Sequence, residues 1–272
     1  MVFREITLDD RPMLEGCGNI CSDYVFTYLF MYKDIYKLKI AEGDGAVIIR
    51  SDAEETVFYM PLGDTVQGIR AVADYCRSNG KRPEFCKIPE DYKDTFEEMG
   101  YRLAEDRNSF DYIYRNSDFV YYEGKSFRKQ RNNLYSYLKS FAPEFSEDIK
   151  SYIGQCREFT LKYHKQPYIA GPTVRMLDNM DSFSLKGGVV LNRGEVAAFC
   201  LYEKISEDML LSHVELTDNS HRGIHAYLVN ELAKRMKERY INKEDDMGLP
   251  GLRRFKESFK PDRMLKKYRA FR

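Results

Sequence analysis

Asp208-Met209-Leu210-Leu211-Ser212-His213-Val214-Glu215-Leu216, followed by Thr217-Asp218-Asn219-Ser220-His221-Arg222-Gly223-Ile224-His225-Ala226, decides the fold. The first nine residues read as one long strand. Residues 220–238 then show helical spacing, with Ile224, Tyr227, Leu228, Leu232 and Met236 on one face. A strand feeding a glycine-containing helix start leaves backbone N–H groups free, and the helix dipole favours an anion there. Arg222 adds a fixed positive charge suited to phosphate. An ordinary helix start has the same ingredients, so this turn alone leaves both readings open.

Upstream, 185–191 and 195–203 read as a hairpin around Asn192-Arg193-Gly194, and downstream Tyr240-Ile241-Asn242 reads as a short strand. Helices at 126–141, 147–164 and 171–180 precede the hairpin, while a helix at 250–258 and a strand at 264–268 close the chain. The first half has the same order. Thr7-Leu8-Asp9-Asp10 caps a first helix, and Ser22 caps an aromatic second one. Strands at 36–41, 46–50 and 56–60 follow, then a helix at 65–78, a strand at 85–88, a helix at 90–99 and a strand at 109–114. Two halves ordered helix, meander, helix predict an α/β chain made by duplication. The break is expected at Asn116-Ser117-Asp118, giving one domain over 1–118 and a second over 119–272.

The charge distribution agrees with two parts. The 272 residues carry 43 basic and 43 acidic side chains, which argues against a general nucleic-acid coat. Residues 1–118 hold 15 basic and 23 acidic side chains, whereas 119–272 hold 28 and 20. An anionic ligand therefore belongs with the second half. No helix-turn-helix or other DNA-reading motif is legible. No signal peptide or membrane-spanning run is legible either, so a cytoplasmic chain is expected, with membrane contact only at the periphery. Cys17, Cys21, Cys76, Cys86, Cys156 and Cys200 do not form a disulfide framework, and no metal site is expected.

Around Arg222 the pattern is similar to the pyrophosphate loop of GNAT acyltransferases, roughly Arg/Gln-x-x-Gly-x-Gly/Ala. Gly223 follows Arg222 at once, and His225 stands where a second glycine would be. A second run is more distinctive: Asn242-Lys243-Glu244-Asp245-Asp246-Met247-Gly248-Leu249-Pro250-Gly251-Leu252-Arg253-Arg254-Phe255-Lys256-Glu257-Ser258. Its acids either cap the following helix or bind a cationic amine. Its basic residues are either a solvated face or a phosphate or carboxylate site.

This run closely resembles a bacterial family grouped with the C-terminal domain of phosphatidylglycerol lysyltransferase. The opening Phe3-Arg4-Glu5-Ile6-Thr7-Leu8-Asp9-Asp10-Arg11-Pro12, the segment Glu105-Asp106-Arg107-Asn108-Ser109-Phe110-Asp111-Tyr112, the basic helix with Gly124, Lys125, Lys129, Arg131 and Asn132, and Leu185-Lys186-Gly187-Gly188 agree with it. The resemblance implies two GNAT-like domains in tandem, as in Fem-type aminoacyltransferases, with mixed central sheets flanked by helices. It implies acyl or aminoacyl transfer by analogy, since fold alone does not fix function.

Such transfer needs a base for the nucleophile and donors for the tetrahedral oxyanion. Glu215 is the expected base, with Asp245 or Glu244 as the second choice and Tyr268 as a general acid. Arg222, Gly223, His225 and Asn242 are expected at the donor phosphate. Lys125, Arg131, Asn132, Lys186, Asp246, Arg253 and Lys256 are expected to hold substrate. No resident cofactor is implied; the donor is acyl-CoA or aminoacyl-tRNA, and the acceptor an amine or hydroxyl on a lipid or cell-wall precursor. The first domain, which has no Arg-x-x-Gly-x-Gly/Ala loop, is expected to be non-catalytic. The alternative is a non-catalytic ligand-binding protein on a degenerate GNAT fold. His221 and His225 stand four apart, a spacing that can bind metal, but the glutamate of the metalloprotease pattern is missing.

Overall fold

Consecutive strand residues point to opposite faces, so an unbroken apolar run needs cover on both sides. Residues 46–49 and 197–202 are such runs, and every side chain in them is buried. Each forms the middle of a sheet in the computed structural model, which describes residues 1–17 and 21–272.

The first unit begins with β1 (Arg4–Glu5), α1 (Arg11–Glu15) and α2 (Phe26–Tyr32). The meander β2 (Leu38–Gly43), β3 (Ala46–Ser51), β4 (Val57–Tyr59) and the short β5 (Leu62–Gly63) follow. Then come α3 (Thr65–Ser78), β6 (Glu84–Pro89), α4 (Lys93–Glu98) and β7 (Arg102–Glu105). The second unit takes β8 (Asp111–Arg115) from Tyr112 onward, then α5 (Asn116–Tyr121), α6 (Arg128–Ser140), β9 (Glu144–Ser146), α7 (Ile153–Tyr163), α8 (Pro167–Asp178) and α9 (Met180–Phe183). It continues with the meander β10 (Lys186–Asn192), β11 (Glu195–Ser206) and β12 (Met209–Thr217), then α10 (Ile224–Arg235), β13 (Tyr240–Asn242), α11 (Pro250–Ser258) and β14 (Arg263–Leu265). The last strand, β15 (Lys267–Phe271), returns to the first unit.

The first sheet runs β1-β2-β3-β4-β6-β15-β7, with β5 on β3, and the second runs β14-β8-β13-β12-β11-β10-β9. Both have the same heart: a meander, a crossover helix, and one parallel pair. The pair is β4 with β6 across α3 in the first sheet and β12 with β13 across α10 in the second. The repeat read from the sequence is thus a repeat of topology.

The expected break at 118 is corrected. Asn116-Ser117-Asp118 opens α5, which packs Phe119 into a core with Tyr112, Tyr114, Tyr122, Val229 and Phe259. The first unit comprises 1–111, 245–249 and 265–272, and the second 112–244 and 250–264. The reason is strand exchange. β8 pairs antiparallel with β13, while the C-terminal β15 pairs antiparallel with β6 and β7. Periodicity reports that a strand exists, not which sheet takes it.

α10 shows how the second unit holds together. One flank buries Ile224, Tyr227, Leu228 and Leu232 against Cys200, Tyr202 and Leu210 of the sheet. The other buries Ala226, Val229 and Ala233 against the aromatic core around Phe119. Removing one such aliphatic side chain costs about 2–5 kcal/mol. The helix is shorter than the 220–238 expected, because Gly223 starts it at a φ of +91° and Met236 ends it in extended conformation.

Candidate functional site in the second unit

The ladder between β11 and β12 slips at His213: Leu201 pairs with Val214, but Tyr202 pairs with Ser212. This one-residue bulge re-aims the side chains beside it. Ser212 and Glu215 come to the same side, and the Ser212 hydroxyl donates to Glu215 Oε1 at 2.8 Å. Glu215 Oε2 accepts from His225 Nε2 at 2.8 Å and from Lys243 Nζ at 2.7 Å. His225 comes from the first turn of α10, and Lys243 directly follows β13. Three elements of the meander–helix–strand repeat therefore converge on one carboxylate.

Burial works against the charge on Glu215, but Lys243 and His225 more than offset it and hold the carboxyl well below its usual range. A carboxylate so well satisfied is a weak proton acceptor. Burial also dominates at His225 and lowers its pKa below the usual imidazole value, although Glu215 opposes the shift. The ring is therefore neutral at pH 7. Its Nε2–H donates to Glu215, which leaves the lone pair on Nδ1. Nδ1 is buried and has no hydrogen-bond partner, while the ring packs edge-on to Phe255. Glu215 thus orients an imidazole, a different part from the base the sequence suggested.

A second histidine behaves in the opposite way. The His213 side chain lies fully buried between Glu203 and Glu244, each 2.7 Å from one ring nitrogen. Burial would lower its pKa, but both carboxylates raise it to about 9, so it is an imidazolium at neutral pH. Glu244 is held there by this clamp and by its own N–H, which donates to Asn242 Oδ1 at 2.8 Å. Glu244 is therefore a clamped anion rather than a free base, and the buried Asn242 is a backbone brace rather than a phosphate ligand.

Lys256, on α11, donates to the Lys243 carbonyl and stands 5.5 Å over the Tyr112 ring. It brings a second ammonium to the end of β13. Arg253 is half-buried on the same helix. Arg222 is exposed, with Nε 3.5 Å from Asn133 Oδ1. Gly223 is needed for packing: a Cβ there would fall 2.0 Å from the Asn133 carbonyl oxygen of α6. That face of the turn is filled by protein. Arg131 donates to the carbonyls of Tyr122 and Gly124, Lys125 and Asn132 are exposed on or beside α6, and Lys186 is exposed on β10.

Asp245, Asp246 and Tyr268 belong to the first unit. Asp246 is fully buried, 3.1 Å from Arg107, and its Oδ1 accepts from the Gly248 N–H at 3.0 Å. Asp245 lies 3.4 Å from Lys87, which also reaches Asp23 at 2.9 Å and Ser109 at 3.0 Å. Lys267 joins Asp23 and Asp111 in the same buried network. Tyr268 donates to Glu90 and Glu105 at 3.2 and 3.3 Å; burial and these carboxylates push its phenol up to about 12, which suits structure better than acid catalysis. The sequence reading, which takes His213 as a core or pocket residue within its strand, missed Glu203 and Lys243. Lys243 stood in the quoted run, but burial of a lysine leaves no mark in a sequence.

Each unit, with its meander, crossover helix and parallel pair, has a GNAT-like fold, and a tandem GNAT protein from the clavulanic acid biosynthesis pathway is similar in fold at 10% identity and a TM-score of 0.50, over 99% of this chain and 98% of that one. The family model for the C-terminal region of phosphatidylglycerol lysyltransferase matches residues 19–271, and the chain belongs to that family. A conserved protein of unknown function from Bacteroides thetaiotaomicron is similar at 25% identity and a TM-score of 0.90, over 99% of this chain and 98% of that one. The C-terminal domain of a candidate lysylphosphatidylglycerol synthetase from Agrobacterium fabrum is 14% identical, with a TM-score of 0.70 over 97% and 90%. The L-PGS from Bacillus licheniformis is 15% identical, with a TM-score of 0.68 over 97% and 92%. A search of curated proteins gave no match. No helix among the described residues is long and apolar enough to cross a membrane.

Proposed function

We propose that the chain transfers an aminoacyl group from an aminoacyl-tRNA to a hydroxyl or amine acceptor on a lipid or cell-wall precursor, working at the membrane periphery. The observation that carries this reading is the neutral His225, hydrogen-bonded to Glu215 through Nε2 and unpartnered at Nδ1. In the transfer, the acceptor O–H or N–H would lose its proton to His225 Nδ1 while its O or N attacks the ester carbonyl. The bond to the tRNA 3′ oxygen then breaks, and the proton passes to that leaving oxygen. Lys256, whose ammonium sits on the Lys243 carbonyl at the end of β13, would supply positive charge for the tetrahedral oxyanion. Glu215 keeps the imidazole in the tautomer that leaves Nδ1 free.

Membership of the lysyltransferase family supports an aminoacyl rather than a simple acyl group. So does the turn at Gly223, whose inner face is taken by Asn133 and so lacks room for a closely seated pyrophosphate. Calorimetric titration with coenzyme A, acetyl-CoA, and uncharged and aminoacylated tRNA tests the donor. Salt-sensitive tRNA binding with silence towards CoA supports the proposal. Micromolar CoA binding abolished by Arg222→Glu would replace it with a conventional acyltransferase, and silence towards all four would favour a non-catalytic binding protein.

A further inference from the structure

We propose that the exposed face of α6 binds the phosphodiester backbone of an RNA; this rests on the aminoacyl-tRNA reading and names the surface that takes the carrier. Residues 124–143 hold five basic side chains and no acidic one. Lys125, Arg128, Lys129 and Lys139 are exposed, and none forms an ion pair among the described residues. Exposed Arg222 extends the face through its contact with Asn133, which lies one turn beyond Lys129 on the same side of α6. Asn132, Ser136 and Ser140 occupy exposed positions between the cations.

Stability alone would not place cations there. The first turn of a helix is the positive end of its dipole and prefers acids. α6 starts Arg128-Lys129-Gln130-Arg131, with no acid in its first turn and no side-chain cap at Phe127. These charges oppose the dipole and one another. A polyanion that neutralises them removes both penalties and releases its own counterions. Gln130 fixes this start in place by donating to the Ser258 carbonyl at 2.6 Å.

The same face argues for RNA over a bilayer. Tyr135, on α6, is 63% exposed, and such a ring stacks on bases. A helix lying in a membrane interface needs a continuous apolar side. The apolar side of α6, with Leu134 and Tyr137, is already packed in the protein core, and on its solvent side the exposed Tyr135 and Leu138 stand among cations, Asn and Ser without forming a continuous apolar stripe.

The test uses the full chain, fluorescently labelled uncharged tRNA, and vesicles of phosphatidylglycerol and phosphatidylcholine. It compares wild type with Lys125→Glu/Arg128→Glu/Lys129→Glu and with a control reversal on the first unit, Arg70→Glu/Lys81→Glu/Arg82→Glu. The α6 variant should bind tRNA at least about tenfold more weakly and lose about three from the slope of log affinity against log salt. Its Tm should rise by about 2–4 °C, because acids now sit at the helix start. That rise separates lost binding from lost folding. If wild type binds tRNA and both variants bind it equally well, the α6 assignment is wrong while the aminoacyl-transfer reading stands. If wild type binds no tRNA, that reading fails and this one with it. Vesicle binding that the α6 variant alone abolishes would make the face a lipid surface and overturn the proposal.

Discussion

Glu215 Oε2 lies 2.8 Å from His225 Nε2, a contact that joins Lys243 in holding the carboxylate ionised and that opposes the burial keeping the imidazole neutral. The carboxylate is held ionised and the imidazole neutral. Glu215→Gln keeps the shape but removes the charge, leaving buried Lys243 without its counterion. The variant should lose about 3 kcal/mol in urea unfolding. The His225 pKa, followed by NMR, should fall further, since Glu215 is what raises it against burial. An unchanged or higher value would show that the contact does not govern the ring.

His213 gives a pH dependence of known sign. Its native pKa of about 9 lies above the unfolded value of 6.5, so the native state binds the extra proton. The resulting stability is complete below about pH 6.5 and is lost as pH rises through about 9. It amounts to about 3 kcal/mol at most. Thermal melts should fall across that window in wild type, while His213→Gln should melt lower and with a flatter profile. His225 has the opposite sign: its lowered pKa takes stability away as pH falls below 6.5. Parallel profiles for wild type and His213→Gln above pH 6.5 would mean that the clamp is not an ion pair.

Gly223→Ala should be severe for two independent reasons. The position has a φ of +91°, and the added Cβ would meet the Asn133 carbonyl at 2.0 Å. Both strain the backbone, and the loss should exceed about 2 kcal/mol by chemical denaturation. Near-wild-type stability would show that α6 can move away from the turn, reopening it for phosphate.

The adjacent lysines Lys266 and Lys267 provide an internal contrast. Lys267 is fully buried between Asp23 and Asp111, whereas Lys266 is half-buried beside Glu105 at 3.3 Å. Lys267→Met should cost about 3–5 kcal/mol, because it takes the buried ammonium from between two buried carboxylates, of which Asp23 keeps Lys87 as its cation. Lys266→Met should cost less than about 1 kcal/mol. Equal effects in urea unfolding would show that solvent reaches the network.

Much of the architecture was legible from periodicity. The helices at 65–78 and 250–258 and the strand at 240–242 match the structure end to end. The exchange of β8 and β15 was not legible, because strand partnership is a long-range property that no local spacing encodes. At the site, Glu215, His225 and Lys256 were picked out by type and position, but their roles came from burial. A glutamate at a strand end looks like a base until Lys243 is seen against it. Asp245 and Asp246 looked like the chemical centre of their run; folding sends them to the first unit and gives Glu244 and Lys243, one and two positions earlier, to the second.

His225, oriented by Glu215, is the proposed base for aminoacyl transfer. The most direct measurement follows radiolabel from aminoacyl-tRNA into lipid and cell-wall precursor fractions, with wild type beside His225→Gln, across pH 5 to 8. Wild type should transfer the label, with an acid limb below pH 6.5 set by the lowered imidazole pKa. His225→Gln should lose about 100-fold or more of the rate at unchanged tRNA affinity. Transfer by His225→Gln at the wild-type rate would contradict that role.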